Sequence, residues 1–120
     1  MSAVSQPVGP YTPIVRAGGF LYLAGQLGMR DGALVDGGVA AQTTQAMANA
    51  AALLASKGAG LEHVVKTTVF LADINDFATM NEAYLGALGD LRPARSAFQV
   101  AALPFGGRVE IECIAFAPEG

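Results

Sequence analysis

Two charged side chains near the carboxyl end of the sequence have the chemistry to act together on a small carboxylate-bearing molecule. Charged residues make up only 14% of the chain, yet Arg95 and Glu110 stand in two neighbouring strand-like segments. Alternate side chains of a strand point to opposite faces, which groups Arg95 with Ala97, and Glu110 with Glu112. We expect Arg95 and Glu110 to share the face of one sheet that lies away from the core. There, an arginine would bind a carboxylate and a glutamate would orient a water beside it.

Apolar spacing and turn residues predict the elements that position this pair. The predicted strands run from Ile14 to Ala17, from Phe20 to Leu23 and from Val64 to Leu71, with two more around the Pro104–Gly107 turn. The first predicted helix runs from Val39 to Lys57, and Gly58 is its C-terminal stop. The second has Asp73 or Asn75 as its N-terminal cap, and its apolar face consists of Phe77, Met80, Tyr84, Leu85 and Leu88. This order, ββ-α-β-α-ββ, predicts an α+β fold in which two helices cover one face of a mixed sheet. The other face must meet water or another subunit, and Ile114 and Phe116 on it favour a subunit.

Length and composition exclude several classes of protein. At 120 residues we expect one domain spanning 1–120. A net charge of −3 with only seven scattered Lys and Arg disfavours nucleic-acid binding. The single cysteine, Cys113, reads as a small buried residue, and with one histidine, His63, we expect no metal site. The glycines form neither a P-loop nor a dinucleotide fingerprint, so we expect no cofactor.

The sequence also bears on location. No basic segment followed by an apolar run opens the chain, which argues against a signal peptide. The longest apolar stretches are far too short to span a membrane. We therefore expect a cytoplasmic protein with no membrane partner.

Five segments in one order resemble a known family. They are GPY at Gly9 to Tyr11, AGQLG at Ala24 to Gly28, VVKTTVFLADINDFATMNEAY at Val64 to Tyr84, PARSAF at Pro93 to Phe98, and VEIECIA at Val109 to Ala115. In this combination the chain resembles the RidA (YjgF) family along nearly its whole length. The resemblance implies a chorismate-mutase-like fold assembled as a homotrimer with clefts between subunits. It also implies hydrolysis of reactive 2-imino acids to 2-oxo acids and ammonia, without a cofactor.

The resemblance assigns roles to the two charged residues. Arg95 matches the arginine of the family's PARS motif and would anchor the substrate carboxylate. Glu110 matches the first glutamate of the V-E-I-E run and would position the hydrolytic water. Without the resemblance, Arg95 would be read as part of a salt bridge, and Glu110 as a partner of Arg108 or Arg92.

Four further residues match family positions around the cleft. The Gly25 N–H would help bind the carboxylate, although the glycine alone would indicate a bulge or close packing. Tyr11 would line the pocket and Asn81 would lie near it. Ala97 stands where many members carry a cysteine, which leaves the choice of substrate open. Glu112 is expected to be a structural or intersubunit partner.

Two other functions stay open at this point. One is a non-catalytic trimer that senses 2-oxo acids through Arg95. The other is an endoribonuclease, as some family members are described, and the acidic charge balance disfavours it.

Overall fold

A five-stranded mixed sheet forms the framework of the protein. The computed structural model describes residues 9–119, so the signal-peptide expectation, which concerns the first residues, lies outside the described part. The strands of this sheet are β1 (Ile14–Ala17), β2 (Phe20–Leu27), β5 (Val64–Leu71), β6 (Ala94–Gln99) and β7 (Val109–Phe116). Two short strands, β3 (Met29–Arg30) and β4 (Ala33–Leu34), form a separate antiparallel pair. The sheet has the order β1-β2-β7-β5-β6, in which only the β5–β6 pair is parallel. β5 is an internal strand as expected, although β7 occupies the middle of the sheet.

Two helices pack on one face of this sheet, as predicted. They are α1 (Gly38–Ala55) and α2 (Phe77–Leu88). The first helix ends at Ala55, two residues before the predicted Lys57. In the turn that follows, the predicted stop residue Gly58 adopts a φ of 71°, and the Ala59 N–H bonds to the Leu54 carbonyl at 2.9 Å. Asp73 caps the short 3₁₀ turn at Ile74–Asp76 that leads into α2 by accepting from the Asn75 N–H at 2.9 Å.

The core lies between the helices and the inner face of the sheet. In β7, Val109, Ile111 and Ala115 are fully buried and Cys113 is 2% exposed, which confirms the predicted core face of this strand. Burial, reinforced by Glu112, raises the pKa of the Cys113 thiol to about 12, so the group stays a neutral, small hydrophobe. No helix within residues 9–119 is both long and apolar enough to cross a membrane.

The outer face of the sheet carries exposed aromatic residues. Tyr22 is 45% exposed, Phe98 46% and Phe116 47%, and Phe20 packs its ring edge-on against Phe116 at 5.0 Å. Ile114 and Phe116 both lie on this face, as predicted. An apolar surface of this kind is typical of a protein–protein contact.

The expectation that Arg95 shares a face with Glu110 is wrong. In the parallel pairing of β5 with β6, Arg95 lies beside Thr67 and Ala97 beside Val69, two fully buried positions on the helix-covered face. Glu110 pairs with Phe70 on the outer face. The side chains of β6 alternate between the two faces as predicted, but the face assigned to the core was the wrong one. Phe98, the largest apolar residue of the strand, lies on the outer face against Phe70.

Candidate functional site

Arg95 is held at the edge of the sheet by side chains of α2. Its guanidinium carbon lies 4.9 Å from the centre of the Tyr84 ring and 5.4 Å from that of Phe77. One Nη donates to Asn81 Oδ1 at 2.5 Å. Cation–π contacts and a hydrogen bond therefore fix the direction of a side chain that is only half-buried.

The three residues that hold Arg95 share one face of α2. Phe77, Asn81 and Tyr84 follow the spacing i, i+4, i+7, which aligns side chains along a helix. The Tyr84 hydroxyl is itself fixed by a 2.6 Å hydrogen bond with Thr67 Oγ1 in β5. Burial raises the pKa of Tyr84, against the opposing effects of this hydrogen bond and of the Arg95 charge, so the hydroxyl stays neutral. The helix thus presents a preformed cradle for the guanidinium.

Arg95 has no carboxylate partner within residues 9–119. The other arginines near the two candidate residues are engaged elsewhere. Arg108 pairs with Asp76 at 2.5 Å, and Arg92 donates to the Gly89 and Leu91 carbonyls at 2.6 and 2.8 Å. The salt bridges that would make Arg95 or Glu110 merely structural are therefore not formed in this part of the chain.

The second candidate group, Gly25 with Glu110, depends on a bulge in β2. The pairing of β2 with β7 shifts by one residue between Leu23 and Gln26, so the sequence indication of a bulge at Gly25 is confirmed. The Glu110 carboxyl rests directly on Gly25: a Cβ there would overlap Glu110 Oε2 and lie 2.9 Å from its Cδ. Only glycine lets this carboxyl lie so close to the backbone.

The electrostatics of Glu110 suit a proton acceptor. Burial raises the pKa of its carboxyl, and the negative charge of Glu112, on the same face, raises it further. A carboxylate with a raised pKa takes a proton more readily than an ordinary glutamate.

The structure thus brings the candidate residues together in two groups. Arg95, Asn81 and Ala97 belong to the helix-covered side, with Ala97 packed against the core. Gly25 and Glu110 belong to the outer face, and the sheet separates the two groups. Tyr11 precedes β1 and is 45% exposed. A single chain therefore holds two candidate half-sites rather than one candidate site.

Metal ligation has no obvious place in the part of the chain that is described. No three side chains of the His, Cys, Asp and Glu types converge there. His63 ends a 3₁₀ turn (Leu61–His63), where its Nδ1 accepts from the Gly60 N–H at 3.0 Å.

Sequence reasoning missed the aromatic half of the Arg95 cradle. Phe77 and Tyr84 were read only as the apolar face of α2. The family resemblance placed only Asn81 near the cleft. Because Phe77 lies four residues before Asn81 and Tyr84 three residues after it, helical spacing could have predicted that all three share one face.

The fold and the two candidate half-sites define a small α+β protein with an arginine held in an aromatic cradle and a glutamate resting on a bulge glycine. A family model described as endoribonuclease L-PSP matches residues 1–117. The chain belongs to this family, which is the YjgF/RidA family recognised in the sequence.

Individual relatives and structures agree with this assignment. A bovine protein named 2-iminobutanoate/2-iminopropanoate deaminase is 51% identical over 110 residues, covering 90% of this chain and 80% of its own. The crystal structure of RidA from an Antarctic Psychrobacter species is 42% identical with a TM-score of 0.88, over 92% of this chain and 91% of its own. The structure of E. coli TdcF with bound serine is 34% identical with a TM-score of 0.85, over 92% and 90%.

Proposed function

We propose that this protein hydrolyses reactive 2-imino acids to 2-oxo acids and ammonia, without a cofactor. The observation that carries the proposal is the Arg95 guanidinium, preformed in its cradle without a carboxylate partner within residues 9–119, together with a glutamate of raised pKa. The first group suits the carboxylate of such a substrate and the second suits the activation of water. The bovine relative is named for this deamination, and TdcF has been crystallised with serine, a small ligand that carries a carboxylate as the proposed substrates do.

The active site is completed by a second copy of the chain. The sheet keeps Arg95 and Glu110 of one copy on opposite faces, so Arg95 of one copy must meet Gly25 and Glu110 of another. The exposed aromatics of the outer face supply an apolar surface for that contact. Because the two half-sites are different surfaces, the contact is head-to-tail, and such a contact can close into a ring. The resemblance to the RidA family supplies the number of copies, which is three. We therefore propose a homotrimer with three intersubunit clefts.

The reaction follows from the chemistry of the two half-sites. Arg95 binds the substrate carboxylate bidentately, and the Gly25 N–H of the next copy assists. Glu110 removes a proton from a water as the water oxygen bonds to the imine carbon, and delivers that proton to the nitrogen. Glu110 then takes the hydroxyl proton of the carbinolamine and passes it to the nitrogen as the C–N bond breaks, which releases ammonia and leaves a 2-oxo acid. A positioned general base of this kind contributes about 10²–10⁴-fold to the rate.

Three residues have supporting roles in this proposal. Asn81 accepts from Arg95 and so orients its remaining N–H groups toward the cleft. Ala97, on the same face of β6, forms the floor beside the carboxylate. Tyr11 is exposed and available to line the cleft of an adjoining copy.

We expect the protein to work in the cytoplasm.

A coupled assay tests the function directly. An enzyme that releases 2-iminobutanoate or 2-iminopropanoate is run with and without catalytic amounts of this protein, and 2-oxo acid formation is followed. We expect the parent protein to speed the formation of the 2-oxo acid. The Glu110→Gln variant should lose most of this acceleration of imine hydrolysis but still bind 2-oxo acids. A parent protein that binds 2-oxo acids without accelerating hydrolysis would instead be a sensor. Cleavage of RNA by the purified protein would favour the ribonuclease that the family description names.

A further inference from the structure

Phe105 is the most unfavourably placed apolar residue of the described chain. It lies in the 3₁₀ turn between β6 and β7 (Pro104–Gly106) and is 61% exposed, more than any other large apolar residue of the described part. Its backbone adopts φ 59° and ψ 18°, the left-handed region that bulky residues avoid. Such a conformation costs about 1–3 kcal/mol, and an exposed ring recovers none of it by burial. A residue that is both strained and exposed suggests a functional contact.

The turn holds Phe105 on a rigid support. The Gly107 N–H donates to the Pro104 carbonyl at 3.0 Å. The next N–H, of Arg108, donates at 2.8 Å to Oε1 of Gln42, a buried side chain of α1. The ring is therefore displayed by a fixed backbone rather than by a loose loop.

This turn borders the Glu110 half-site. Gly107 is buried against Leu27, since a Cβ added to it would lie 2.9 Å from Leu27 Cδ2. Leu27 in turn is the cross-strand partner of Glu110. Phe105 therefore lies two residues before Gly107, the residue at which the turn packs against β2 beside Glu110.

The planar imine carbon of the substrate has three substituents, and the proposed mechanism accounts for two of them. Arg95 holds the carboxylate, and the nitrogen receives its proton from Glu110. The third substituent, the side chain, must point toward a remaining wall of the cleft. We infer that Phe105 forms that wall and makes 2-imino acids with extended apolar side chains the substrate class of this protein. This inference rests on the proposed function.

The test compares two substrates with and without the ring. The imines of leucine and of alanine are generated by an amino-acid oxidase, and kcat/KM is measured for each. Phe105→Asn removes the apolar ring while keeping a residue that tolerates the left-handed backbone. We expect kcat/KM for the leucine-derived imine to fall about tenfold, and that for the alanine-derived imine to change less than about twofold. Phe105→Tyr keeps the ring and should retain the parent preference.

Each other outcome has a distinct meaning. If the parent protein accelerates hydrolysis but Phe105→Asn leaves the ratio of the two kcat/KM values unchanged, the inference is wrong and the proposed function stands. If Phe105→Asn lowers the mass measured by light scattering, the ring is a subunit contact and the inference is likewise wrong. If the parent protein accelerates neither imine, the proposed function itself fails.

Discussion

Removal of the Arg95 guanidinium should abolish ligand binding with little effect on the fold. Arg95 carries five N–H donors and uses one of them on Asn81, which leaves enough for a bidentate bond to a carboxylate. Two charge-assisted hydrogen bonds at about 1.5–3 kcal/mol each give about 3–6 kcal/mol. Arg95→Ala should therefore weaken the binding of 2-oxobutanoate by roughly 10²–10⁴-fold.

The cost to stability should be much smaller. Arg95 is half-buried and its ring contacts contribute about 0.5–1 kcal/mol each. Arg95→Ala should lower the free energy of unfolding by only about 1–2 kcal/mol, so the protein stays folded at room temperature. Arg95→Lys should restore binding only in part, because an ammonium lacks the planar fork.

The assay is calorimetric titration of 2-oxobutanoate into each variant, with unfolding followed in parallel. Arg92→Ala is the matched control: it removes an exposed arginine three residues away that donates only to backbone carbonyls, and should leave binding unchanged. If Arg95→Ala binds within about twofold of the parent protein, the reasoning that makes Arg95 the carboxylate anchor is refuted.

Two more predictions concern the Glu110 half-site. Gly25→Ala should lower kcat by about 100-fold, because the new Cβ displaces the Glu110 carboxyl. Tm should change little, since the displaced group is the mobile end of a side chain and not the backbone. Full activity of this variant would contradict the contact between Gly25 and Glu110. Glu112→Gln should move the acid limb of the kcat profile to lower pH. Activity needs ionised Glu110 and is lost as pH falls through its pKa, and removal of the neighbouring negative charge lowers that pKa. An acid limb that stays in place or moves to higher pH would show that Glu112 does not act on the base.

The elements that follow from local patterns were predicted from the sequence. The alternation from Val109 to Ala115 predicted the core face of β7, and Gly58 predicted the turn that follows α1, although the helix ends two residues earlier than expected. The bounds of β1 and β5 were also confirmed. The predicted β2, by contrast, ended at Leu23, whereas the strand continues through the bulge to Leu27. The bulge interrupts the alternation of side chains in β2, so a prediction based on that alternation ends the strand at the bulge.

The parts of the site that depend on pairing between distant segments could not be predicted in the same way. The face of Arg95 depends on the parallel register between β5 and β6, and nothing within β6 states that register. The contact of Glu110 with Gly25 depends on the shifted register of β2 against β7. The Pro104–Gly107 turn was expected, but the positive φ of Phe105 was not, because that position usually takes a glycine or an asparagine.

The central claim is that Arg95 of one copy acts with Glu110 of another. Arg95→Ala and Glu110→Gln proteins, each inactive by itself, are unfolded together in equal amounts and refolded, and imine hydrolysis is measured. In a head-to-tail trimer that assembles at random, about one quarter of the clefts pair an intact Arg95 with an intact Glu110, so about one quarter of the parent activity should return. A mixture confirmed to contain hybrid trimers that stays inactive would contradict the account, since a site built within one chain is intact in neither variant.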